Sequence, residues 1–118
     1  MEALVGAASV VTRKKPKQPS DRFLSEVNRM ATEIGAVFTK HAIERLWERN
    51  ISPWRVPAVL HDPDRTDTVT HKGKEYKRFI KRIYGRQVYV TFAEEGKRKI
   101  IVSVAWRGPN KTIPEDAI

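Results

Sequence analysis

An α+β domain is what this chain predicts: N-terminal helices packed on one face of a small antiparallel sheet of about four strands. Three observations carry that prediction. Apolar residues recur at helical spacing between Phe23 and Leu60, the pattern of helices with one buried face. From Arg65 the period changes to two, in segments rich in Val, Ile, Thr and aromatic residues that read as strands. And 118 residues, 40% of them hydrophobic, make one domain with a modest core.

The first 19 residues end in "TRKKPKQPS", a Lys/Pro/Gln run with nothing to bury. It reads as a basic flexible arm, either a solvated leader or a tail that touches phosphates. The domain proper is expected over 20–107. Ser20 can cap a first helix over about 21–34, in which Phe23, Val27, Met30, Ala31 and Ile34 share one face. Gly35 suits the position just past its end. Thr39 caps a second helix with Ala42, Ile43, Leu46 and Trp47 as its apolar stripe, and Asn50 stops it. Ser52 and Pro53 then restart the chain as N-cap and first helical residue of a third helix. Pro57 should keep that helix short or irregular.

Four strand-like segments follow: "TDTVTH", "EYKRFIKRIY", "QVYVTFAE" and "RKIIVSVAW". A two-residue turn at Gly85-Arg86, with Gly first, pairs Tyr84 with Gln87 and Arg82 with Tyr89. A three-residue loop, Glu94-Glu95-Gly96, then sets Val90 beside Ile100 and Val88 beside Val102. That register gives one apolar face of Phe79, Ile83, Val88, Val90, Phe92, Ile100, Val102, Val104 and Trp106, with Lys81 at its rim. The other face would carry Arg78, Ile80, Arg82, Tyr84, Gln87, Tyr89, Thr91, Lys99, Ile101, Ser103, Ala105 and Arg107. The last eleven residues, 108–118, hold two prolines and read as a tail.

Charge speaks to partners. Twenty-three Lys and Arg against 14 Asp and Glu give +9, the electrostatic footprint of a nucleic-acid-binding domain. Between Lys72 and Arg107 stand eleven cations and three acids, whereas a surface built only for solubility intersperses both signs. Arginines alternating with tyrosines on a sheet face suit phosphate contact and base stacking, so Arg78, Arg82, Tyr84, Tyr89, Lys99 and Arg107 are the candidate RNA-binding residues. Ordinary cross-strand pairs on a wet face are the alternative. With no cysteine, disulfides, thiolate metal sites and cysteine nucleophiles are excluded. His41, His61 and His71 have no metal-binding spacing, and no cofactor or metal is expected. The apolar stretch from Ala3 to Val11 is too short to span a bilayer and its positive charges follow it. No membrane partner is expected, and the cytoplasm is the expected location.

"FTKHAIERLWERNIS" places His41, Arg45, Glu48 and Arg49 on the helix flank away from the apolar stripe. A solvated face would look the same. A neighbouring guanidinium, however, disfavours the imidazolium and keeps His41 able to take a proton near pH 7. This stretch, then "VLHDPD", then strands ending "KIIVSVAW", resembles the DUF4258 family over roughly 37–107. His41, Ala42, Arg45 and Arg49 match that family's H-A-x-x-R-x-x-x-R spacing, and Pro63 its proline near the strand start. The family is similar in outline to RelE/BrnT-type toxins, with helices followed by a small antiparallel sheet.

That resemblance implies a RelE-like fold and an RNA-directed, toxin-like domain: a metal-independent endoribonuclease, or a non-catalytic RNA- or ribosome-binding module, with an acidic protein such as an antitoxin as a further partner. Cleavage would need a base, His41, and cations to stabilise the phosphorane. If the second helix lies flat on the sheet, His41 cannot reach Arg82 on the far side; the two can meet only if that helix lies at a sheet edge. The catalytic candidates are accordingly His41, Arg45, Arg49 and the rim cation Lys81.

Overall fold

The computed structural model describes residues 16–114, and the predicted basic arm lies mostly outside them. Three helices and five strands follow in the order α1 (Asp21–Ile34), β1 (Ala36–Phe38), α2 (Lys40–Glu48), α3 (Arg55–His61), β2 (Arg65–His71), β3 (Lys74–Ile83), β4 (Arg86–Glu95) and β5 (Arg98–Arg107). The sheet runs β1-β5-β4-β3-β2. The α+β class is therefore observed, but the sheet is five-stranded and mixed. β1 runs parallel to β5, Ala36 to Phe38 pairing with Lys99 to Ile101. The sequence predicts no element for Ala36–Phe38, between Gly35 and Thr39. Three residues are too few for a period to register, yet they suffice to add an edge.

The helix ends follow local chemistry. Ser20 Oγ accepts from the Phe23 amide at 3.1 Å, and Gly35 ends α1 at φ 65°. Thr39 Oγ1 accepts from the Ala42 amide at 3.1 Å. α3 begins two residues beyond the predicted start, after a turn in which the Arg55 amide donates to Ser52 O and that of Val56 to Pro53 O. Pro57 is its third residue. The first four amides of a helix have no partner within it, so the missing donor costs nothing there.

The helical layer buries Val27 and Met30 of α1, Ala42 and Leu46 of α2, and Val56 and Val59 of α3 against Val88, Val90 and Phe92 of β4 and Ile101 and Val104 of β5. Each such side chain contributes about 1.5–3 kcal/mol on leaving water. This is the predicted apolar face, with its pairing corrected. The β3–β4 turn falls on Tyr84-Gly85, both at positive φ, 50° and 76°, the sign pattern of a type I′ turn. Arg82 then opposes Gln87 and Ile80 opposes Tyr89. The slip relative to prediction is two residues, so each side chain keeps its face.

β4 and β5 differ more. Val90 pairs with Val104 and Val88 with Trp106, but an irregularity after Thr91 sets Phe92 opposite Ile101. The extra residue, Val102, turns the first half of β5 over. Ile101 therefore enters the main core, and Ile100 and Val102 are only partly buried. Lys99 moves with Ile101 to the helical side, its Nζ 5.6 Å from the Phe92 ring centroid.

The far face is not the open platform expected from its charges. Ile80, Tyr89 and Ala105 form a second small core with Ile113. Residues 108–114 fold back over this face as a strap. Gln87 Nε2 donates to Gly108 O and Lys111 O, both at 2.8 Å, Arg82 Nη2 to Pro109 O at 3.0 Å, and Arg78 Nη1 to Pro114 O at 2.5 Å. Among the described residues no helix is long and apolar enough to cross a membrane.

Candidate functional site

β1 covers only the first part of β5, so among the described residues no strand pairs with the edge of β5 from Val102 to Arg107 on that side. α2 occupies that side. It starts where the Thr39 amide donates to Ile101 O at 3.0 Å and ends where Trp106 Nε1 donates to Arg49 O at 3.2 Å. Ten helical residues rise about 15 Å and five strand residues about 16 Å, so helix and strand run out together. This is the sheet-edge placement on which a link between the helix row and the far face depends.

Arg49 makes the link. Its Nη1 donates to Val104 O at 2.8 Å, across the open edge, so the side chain reaches past the rim of the sheet. There it lines a cavity of about 420 Å³ with Tyr89, Trp106, Arg107, Gly108 and Lys111. Three cationic residues line this cavity from three places: Arg49 from the end of α2, Arg107 from the end of β5, and Lys111 from the strap. Burial pulls Arg49 below the usual guanidinium value; the Arg45 charge acts the same way, while Tyr89 and Glu48 oppose it. The group stays charged nonetheless. A partly desolvated guanidinium among like charges is stabilised by an anion.

His41 and Arg45 continue the row up the helix. Partial burial, then the charges of Arg45 and Arg49, lower the His41 pKa below 6.5 against the pull of Glu44 and Glu48. The ring is therefore mostly neutral at pH 7. Arg45 Nη1 is paired with Glu48 Oε2. His41 stands two turns from Arg49, about 12 Å along the axis.

The remaining candidates lie elsewhere. Lys81 is two strands from β5, about 10 Å, where its Nζ donates to Asp62 O at 2.9 Å and lies 3.4 Å from Asp62 Oδ2. It anchors the end of α3 and is not brought to His41. Arg78 is 3% exposed, with Nε and Nη2 on the two Asp67 carboxylate oxygens at 2.9 and 3.0 Å. It is an internal ion pair and does not face a ligand. Lys99, on the helical side, has Glu94 Oε2 at 4.0 Å. Arg82 is exposed on the far face, across Gln87 from Arg107. Tyr84 sits in the hairpin turn, 87% exposed, not on the sheet face. Tyr89 is 5% exposed, which leaves little of its ring for stacking.

Of the predicted residues, then, Arg49, Tyr89 and Arg107 converge, with His41 and Arg45 adjoining. Lys111 and Trp106 were missed. Lys111 was assigned to a tail, though Ile113 two residues on is an apolar anchor that could have signalled a return to the sheet. Trp106 was assigned to the buried face, but it lies level with the end of α2 and stays 38% exposed. Among the described residues no three His, Asp or Glu side chains are grouped as a metal site would require. The chain matches no family model, none of the curated proteins and no solved structure.

Proposed function

We propose that this protein binds RNA, seating backbone phosphates on Arg49, Arg107 and Lys111 at the open edge of β5. The observation that carries this reading is the convergence of those three cations on one cavity. Arg82, next along the far face, extends the basic strip. Phosphate contacts of this kind supply affinity and orientation but no sequence preference.

The test is fluorescence anisotropy of a labelled single-stranded RNA across a salt series. Log affinity should fall linearly with log salt, and Arg49→Gln should weaken binding about tenfold while reducing the slope by about 0.7, one phosphate's worth on a single strand. Binding that ignores salt, or an unchanged slope in Arg49→Gln, removes the reading.

A second reading, metal-independent cleavage, has one observation in its favour: His41 is held neutral beside cations, the state a general base requires. Against it, Arg45 is already engaged by Glu48, and Lys81 is too far away to take part. The catalytic set would shrink to His41, Arg45 and Arg49. Wild-type protein that cuts mixed single-stranded RNA in EDTA, and His41→Ala protein that does not, would establish cleavage. Uncut RNA with tight, salt-sensitive binding leaves the non-catalytic binding module.

A further inference from the structure

A second cavity adjoins the phosphate site and shares one wall with it. Its volume is about 310 Å³, and Asn50, Ser52, Arg55, Tyr84, Arg86 and Trp106 line it. Trp106 borders both cavities. Two arginine–aromatic pairs line this one. The Arg55 guanidinium carbon lies 4.9 Å from the Tyr84 ring centroid, and that of Arg86 lies 4.2 Å from the Trp106 ring centroid. Both rings are exposed, Tyr84 at 87% and Trp106 at 38%. A guanidinium lies over each ring, and both residues keep exposed surface beside the cavity. Trp106 is also fixed in place, because its Nε1 is held by Arg49 O.

We propose that this cleft takes an unstacked base of single-stranded RNA, and that the strand then passes over Trp106 so that its phosphate reaches Arg49, Arg107 and Lys111. The inference rests on the RNA-binding reading above and adds what that reading lacks, a preference for single strands. Aromatic faces bearing guanidinium planes suit any flat base and need no hydrogen-bond readout. A duplex keeps its bases stacked inside and offers the cleft nothing. One strand can engage both cavities because they share a wall. The base cleft and the phosphate site thus define a path from the β3–β4 turn to the edge of β5.

The experiment compares a labelled single-stranded RNA dodecamer with the same sequence as a duplex, bound to the full-length protein at one salt concentration. The variants are Tyr84→Asn, Trp106→Leu and Arg49→Gln. Asn keeps the left-handed turn backbone that position 84 adopts at φ 50° while removing the ring. Tyr84→Asn should weaken single-strand binding by about five- to a hundredfold and leave duplex binding within twofold; Trp106→Leu, which also borders the phosphate cavity, should weaken single-strand binding more than duplex binding. Arg49→Gln should weaken both RNAs alike. If the two ring variants bind the strand as tightly as wild type while Arg49→Gln does not, the base cleft is wrong and the phosphate site stands. If the ring variants weaken strand and duplex equally, the cleft is likewise refuted. If wild type binds neither RNA, the RNA reading itself falls, and with it the cleft; saturable binding of a tyrosine-containing acidic peptide would then name the occupant instead.

Discussion

Arg78 and Arg107 project from the same face of one sheet, but the protein uses them differently. Arg78 stands near the middle of that face, on β3, with Asp67 on the neighbouring strand and the Pro114 carbonyl closing over it. Its Nε, Nη1 and Nη2 each donate to one of these partners. Arg107 is the last residue of β5, opposite Gln87 of β4, and it is exposed and lines a cavity with Arg49 and Lys111. Sequence distinguishes the two poorly, since both are arginines at outward-alternating positions. What differs is the strap, which crosses the sheet between them and divides its cations into structural and available ones.

Four experiments break or sharpen this contrast. Removing the inner charge should have the largest effect. Arg78→Ala leaves the Asp67 carboxylate without its bidentate partner; breaking a buried pair typically costs 3–5 kcal/mol, and because Asp67 is 36% exposed we expect about 2–3 kcal/mol. Urea denaturation measures the loss, and RNA affinity of the folded fraction should be unchanged. A loss of RNA binding at full stability would reverse the assignments of Arg78 and Arg107. Ile113→Ala tests the strap itself. It deletes a side chain that is 7% exposed at the margin of the smaller core, and about 2 kcal/mol should go. A thermal midpoint equal to that of wild type would show that the strap does not hold the far face closed.

At the rim the expected signs are opposite. Arg107→Gln and Lys111→Gln should leave stability within about 0.5 kcal/mol, as exposed substitutions do, while each lowers the salt slope of single-stranded RNA binding by about 0.7. Anisotropy titrations at three salt concentrations decide it; a stability loss comparable to that of Arg78→Ala would erase the distinction. The smallest effect concerns pH. The His41 pKa is lower in the folded chain than the ordinary 6.5, so the unfolded state takes up a proton first. The resulting stability is fully present above about pH 6.5 and is lost as pH falls through the folded value. The neutral variant His41→Gln should flatten that part of the stability profile. Identical profiles for the two proteins would mean that neither burial nor the charges of Arg45 and Arg49 act on the ring.

Much of the layout could be read directly. Ser20, Thr39 and Gly35 fixed two helices almost to the residue, because capping is an interaction over three or four positions. Alternation assigned Val88, Val90 and Phe92 to the core face and survived a two-residue error in the turn, since only odd slips exchange faces. The failures share a cause. β1, the bulge after Thr91 and the strap are each decided by a partner distant in sequence: "AVF" becomes a strand only beside Lys99–Ile101, and Val102 becomes an extra residue only against β4. The His41-Arg45-Arg49 row was legible as a helix flank, but its junction with Tyr89 and Arg107 was not. That junction needs an arginine to reach around an edge whose openness depends on how short β1 is.

The amino-acid sequence by itself determined the α+β class, the helix limits, the faces of β3 and β4 and an excess of positive charge. These follow from periodicities and caps a few residues long. Tertiary structure alone decided where that charge is available, because burial and edge exposure depend on which distant segments cover a surface. It enclosed Arg78 beneath the C-terminal strap and left Arg49, Arg107 and Lys111 lining one cavity at the end of β5.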